Sequence, residues 1–173
     1  MISITINMKN ILLFLILLPV FANAQKTSLN KSTYDFWLGK WNAEWVDANG
    51  NPGKGTNHIF KVLDGAVLEE NFEITEGVQA GFKGKSLSVF NPASGTWHQA
   101  WTDNQGGYFN FNGEVMGDRK IFKTEPVKMR GNTLQQRMVF YNIQKDRFTW
   151  DWESTKNGGK TWNLLWRINY TRQ

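Results

Sequence analysis

At 173 residues, with 40% hydrophobic and 20% charged positions, the chain has ordinary globular composition and a length suited to one domain. The absence of cysteine excludes a disulfide framework, a thiolate metal site, a cysteine nucleophile and an acylated lipoprotein anchor. The formal net charge of +5 comes from scattered Lys and Arg, with no basic run longer than Arg119-Lys120. That pattern describes a solvated surface and not the clustered charge that tracks a phosphate backbone, so no nucleic-acid partner is expected.

The N-terminal residues read as a processing segment. Met8-Lys9-Asn10 is a short basic start, Ile11 to Val20 an almost unbroken apolar run, and Ala22-Asn23-Ala24 a small-x-small cleavage site. The run falls short of the roughly 20 residues of a membrane span. Residues 1–24 are therefore expected to be a secretory signal, whether translation starts at Met1 or at Met8. No stable membrane insertion is expected after cleavage, and the mature chain is expected in the periplasm or outside the cell. Residues 25–33 read as a polar, flexible leader, and residues 34–173 as the folded domain.

In that domain Asp35 is placed to cap one helical turn carrying Phe36, Trp37 and Leu38, and Gly39 permits a sharp bend into a strand. Period-two patterning follows almost without a break. Trp41, Ala43 and Trp45 share one face. Thr56 to Leu63 and Ala66 to Ile74 flank the hairpin signal Asp64-Gly65, and Gly81 to Phe90 is a fourth strand. Thr96 to Thr102 puts Trp97, Gln99 and Trp101 on one face and His98 and Ala100 on the other. Tyr108 to Val115 alternates through Phe109 and Phe111, and Arg119 to Thr124 is a short strand broken at Pro126. Thr133 to Ile143 opposes Met138 and Phe140 to Arg137, Val139 and Tyr141. Arg147 to Glu153 opposes Phe148, Trp150 and Trp152 to Thr149, Asp151 and Glu153. Thr161 to Thr171 carries Trp162, Leu164, Trp166, Ile168 and Tyr170 on one face.

About ten short strands joined by hairpin-length turns predict an all-β fold with sequential antiparallel neighbours. An up-and-down β-barrel of about 8–10 strands removes the sheet edges, and a barrel of that size is wide enough for a small ligand. Nine Trp and twelve Phe suit a large core or a ligand cavity.

Phe36-Trp37-Leu38-Gly39-Lys40-Trp41 resembles the Gly-x-Trp opening of lipocalin-like proteins, where this segment closes one end of the barrel. From Asp35 through Trp101, Gly106-Gly107-Tyr108, Arg137 to Phe140, Phe148 to Glu153 and Gly159 to Trp162 as far as Trp166 and Tyr170, the order of motifs resembles bacterial lipocalin-like proteins of unassigned function. Nitrobindin-like haem barrels are a neighbouring resemblance. Those ligate haem through a late His, whereas the histidines here are His58 and His98, so no haem ligand is carried over and no cofactor is expected.

Thr155 to Trp162 resembles the Asp-box hairpin of sialidases, with Asn157 at the usual Asp position, and reads as a turn-stabilising device. Asp151 and Glu153, two apart, read as a solvated pair if the Trp face is buried and as a site if it is not. Glu69 and Glu70 point to opposite faces, so one of them is a lumen candidate. Arg137 among apolar neighbours requires a carboxylate or an anionic ligand if buried. His98 is the general-base candidate. No metal cluster or catalytic triad order is visible.

The reading that follows is an exported binding protein for a small, largely apolar molecule in the lumen, with Trp45, His98, Trp101, Tyr108, Phe109, Arg137, Trp150 and Trp166 as the lining candidates. The alternative is a lipocalin-like enzyme, an isomerase, cyclase or hydrolase of an apolar substrate, in which Arg137, His98 and Tyr108 are the polar actors. Glycan recognition would instead require a row of outward Trp.

Overall fold

The computed structural model describes residues 29–173; the signal read over residues 1–24 and the first part of the leader lie outside them. A short 3-10 helix, Asp35–Trp37, precedes β1 (Gly39–Val46), β2 (Pro52–Val62), β3 (Val67–Glu76), β4 (Lys83–Asn91), β5 (Thr96–Asp103), β6 (Tyr108–Met116), β7 (Arg119–Lys123), β8 (Val127–Met129), β9 (Asn132–Tyr141), β10 (Arg147–Thr155) and β11 (Asn163–Arg172). Each strand pairs antiparallel with the next along the chain, except that β7 pairs with β9. The last strand returns to the first through Trp41↔Arg172 and Ala43↔Tyr170, closing an up-and-down barrel of ten strands. No edge is left along the seam, which is how such a sheet avoids presenting unpaired backbone.

The eleventh strand, β8, was not legible in the alternation. Pro126 ends β7, and Arg130-Gly131, both at positive φ (47° and 79°), turns β8 back onto β9 as a hairpin arm outside the ring. Beside this arm the wall has a notch: β7 covers β6 only from Asn112 to Met116, leaving Tyr108–Phe111 without a partner on that side.

One end is plugged. Tyr34 is fully buried, its hydroxyl donates to the Ile121 carbonyl at 2.6 Å, and its ring stacks on Phe122 at 4.3 Å. Trp41 Nε1 donates to the Trp37 carbonyl at 2.8 Å. Arg172 lies over the Trp41 ring at 4.1 Å and donates to the Leu38 carbonyl at 2.9 Å. Gly39, at φ 126°, leaves the space that this guanidinium occupies. Full burial of side chains this large contributes roughly 2–3 kcal/mol each, which makes the plug a major part of the core. Asp35 does not cap the helix. It is the first residue of the helix, with Tyr34 at the cap position, and its carboxylate pairs instead with Lys61 at 3.1 Å. Asn30, late in the leader, closes a turn with Thr33 and accepts from Trp97 Nε1 at 2.8 Å.

The inward faces follow the alternation on most strands. One register shift lies near the end of β3, between Ile74 and Glu76, and another within β11, where Trp152↔Trp166 is followed by Glu153↔Leu164. The bulge in β11 inserts Leu165 and reverses the face of everything before it. Leu164 is consequently exposed, and Trp162 lies outside, over the guanidinium of Arg137 at 3.9 Å.

Candidate functional site

The lumen is not filled toward the end opposite the plug. A cavity of about 160 Å³ remains, and nine of its thirteen lining residues are aromatic. The space exists because the wall alternates small and large residues. Gly53, Gly84 and Ser86 present little or no side chain inward from β2 and β4, and Trp45 and Trp101 lie flat against the two glycines, where a Cβ would overlap their rings. The facing wall carries Trp150 and Trp152, parallel within 6° at 6.4 Å, with Trp166 perpendicular to Trp150 at 5.7 Å. Period-two spacing produces this geometry: residues two apart on a strand present to the same side.

A polar cluster lies in the same wall. Glu70 is 5% exposed, borders the cavity, and accepts from Asn57 Nδ2 and from Ser86 Oγ, each at 2.7 Å. Burial pushes its carboxyl up from an ordinary 4.5 to about 7, against the lowering effect of the two hydrogen bonds. Tyr170 borders the cavity beside it, and burial, with the Glu70 charge, holds its phenol above the ordinary range. Two residues beyond Ser86 along β4, Ser88 accepts from Gln99 at 2.9 Å. Asp103 borders the cavity at the β5–β6 turn. Burial raises its pKa, but donors from the Gly107 and Gln105 backbone and Trp101 Nε1 outweigh that, leaving it below the ordinary carboxylate range.

Of the eight lining candidates, Trp101, Phe109, Trp150 and Trp166 border this cavity, and Trp45 meets Trp166 edge to face at 5.1 Å. The remaining three are corrected. His98 is on the outer face, exposed, with its ring 3.0 Å from the Thr96 hydroxyl. Tyr108 is 65% exposed and borders the notch beside β8. Both have the opposite parity to their inward neighbours, so β pleating carries them out. Arg137 is also outside, paired with Glu153 at 2.6 Å and roofed by Trp162. Its partner is a carboxylate of the protein, so no anionic ligand is required to explain its burial.

Asp151 likewise faces outward. It is 4% exposed because Arg167 clamps it through two hydrogen bonds of 2.8 Å and Tyr141 donates to it at 3.2 Å. The carboxylate pair of β10 is thus two ion pairs on the outer wall. In the Asp-box-like turn, Asn157 Oδ1 accepts from the Thr161 N–H at 3.0 Å and Gly158 and Gly159 take positive φ. The Asn157 side chain bonds only within the turn, as expected of a turn device, while the Lys156 and Gly158 backbone is tied to Thr133 of β9. Trp162 is the single Trp on the outside, so there is no outer row for a glycan.

Asn57, Ser86, Tyr170 and Trp152 were not among the candidates, and Glu70 entered only as one member of the pair Glu69 and Glu70. Leu68, Phe72 and Ile74 share the parity of Glu70, so the lumen position of Glu70, with Glu69 outside on Lys85, was readable from the spacing.

No protein-family model matches this chain, and no curated protein matches it.

Proposed function

We propose that this is an exported, lipocalin-like protein, periplasmic or secreted, that holds a small, largely apolar molecule in its lumen. The observation that carries the reading is the aromatic cavity of about 160 Å³ at the unplugged end. A cavity of about that size accommodates a benzene-sized molecule, and apolar walls with few polar groups are the usual character of small-molecule sites. The signal pattern of residues 1–24 supports export. The Gly39-Lys40-Trp41 opening, next to the helix that plugs one end, supports the lipocalin-like assignment.

The test is a pair of mass spectra, native and denaturing, of protein recovered from its export compartment. A mass adduct lost on denaturation is the expected result. An adduct-free protein that also takes up no benzene-sized compound would overturn the reading.

One observation favours the enzymatic alternative. A carboxyl pushed up to about 7 inside an apolar cavity has the character of a proton-transfer group. An isomerase, cyclase or hydrolase here would use Glu70, since His98, Tyr108 and Arg137 are outside. Chemical conversion of the extracted ligand by the wild type and not by Glu70→Gln would favour it over carriage.

A further inference from the structure

The cavity has a charge character that its apolar walls conceal. The chain is basic overall, at +5, yet the lining contains two carboxylates, Glu70 and Asp103, and neither Lys, Arg nor His. Each Glu70 oxygen accepts one hydrogen bond from a neutral donor, and among the described residues no cationic side chain lies within ion-pair distance of it. By contrast, Asp151 and Glu153 in the outer wall each have an arginine. A buried carboxylate is ordinarily paired, because an isolated charge in an apolar medium is costly. The aromatic faces around the cavity carry the complementary property: a Trp face attracts a cation, most strongly when both are desolvated. Trp150, Trp152 and Trp166 supply two parallel faces and one perpendicular to them.

From these observations we infer that the occupant is a hydrophobic cation, a small aromatic or aliphatic amine whose ammonium group pairs with Glu70 while its apolar body lies among the Trp rings. This rests on the lumen-carrier reading and names its ligand class. A neutral hydrocarbon would leave Glu70 without a counter-ion, and an anion would meet two carboxylates. The groups facing Glu70 from the packed strands are Asn57 of β2, Ser86 of β4 and Tyr170 of β11, and none of them supplies positive charge. The ammonium completes what the protein omits, with Asp103 adding a second negative charge at the cavity wall.

Three probes of similar shape test this: benzylamine, ethylbenzene and phenylacetate, titrated into the purified protein and followed by tryptophan fluorescence and calorimetry. The expected order is benzylamine tightest, with ethylbenzene weaker by about tenfold or more, the usual range for a hydrogen bond to a charged group, and phenylacetate weakest. Glu70→Gln keeps the shape and should abolish the preference for the amine while retaining ethylbenzene. Should that variant fail to fold, the wild type carries the same test: benzylamine affinity should fall as pH is lowered through about 7, where Glu70 takes up its proton, while ethylbenzene affinity stays level. Ethylbenzene binding as tightly as benzylamine, or a preference that survives both Glu70→Gln and low pH, would overturn the cation and leave the apolar carrier standing. Failure of all three probes to bind a protein shown to be adduct-free would overturn both.

Discussion

The indole of Trp101 lies across Gly84 of the neighbouring strand, in space that any side chain at position 84 would claim. The same relationship recurs between Trp45 and Gly53. Both tryptophans are thereby held flat against the wall, and the volume they would otherwise fill is left open. Gly84→Ala should push the Trp101 ring into the cavity, at a cost of about 1–3 kcal/mol typical of overpacking. Denaturant unfolding and the tryptophan emission spectrum would detect it. An unchanged midpoint together with an unchanged spectrum would show that the glycine is not what holds the cavity open.

Glu70 couples stability to pH. Its folded pKa, about 7, exceeds the ordinary 4.5, so between those values the folded state binds more protons than the unfolded one. Its contribution is fully present below about 4.5 and is lost as pH rises through about 7, by about 3 kcal/mol in total. Glu70→Gln remains neutral and should be more stable than the wild type above pH 7, with a flatter profile between the two values. Unfolding midpoints across pH would decide this. A wild-type profile that stays level over that window would contradict the burial of an ionisable group there.

Arg167 is half exposed, but its partner Asp151 is not. Arg167→Ala should leave a buried carboxylate with Tyr141 as its remaining donor, costing about 1–3 kcal/mol. Arg167→Ala combined with Asp151→Asn should recover part of the loss. A double variant as unstable as the sum of the singles would indicate that the two residues act independently.

Tyr34 belongs to the plug and not to the cavity lining. Tyr34→Phe keeps the stack on Phe122 but removes the donor to the Ile121 carbonyl, for an expected loss of about 1–3 kcal/mol. Tyr34→Ala should cost about 3–5 kcal/mol, as large-to-small changes of a buried aromatic do. Because Tyr34 is not among the cavity-lining residues, probe affinity in Tyr34→Phe should match the wild type. A change in affinity would mean that the two ends are coupled.

Strand order, pairing and which residues share a face on most strands were legible in the sequence, because a pleated strand repeats every two residues and the turns are marked by Gly, Asn, Asp and Pro. The alternation of β3 put Glu69 and Glu70 on opposite faces, and the parity of Leu68, Phe72 and Ile74 is the signal that distinguishes the inward one. Three matters were decided by tertiary structure. Arg137 has apolar neighbours on both faces of β9, because the outer wall there buries Val139 and Ile121 as completely as the lumen buries Phe140; local alternation carries no sign of which is inside. The bulge at Leu165 depends on the register between two strands, which no single strand records. The cavity itself arises from which residues meet across the closed ring, where glycines of β2 and β4 hold tryptophans flat and the tryptophans of β10 and β11 stand opposite. Sequence spacing determines the face on which a side chain lies, and only closure of the sheet determines what it faces.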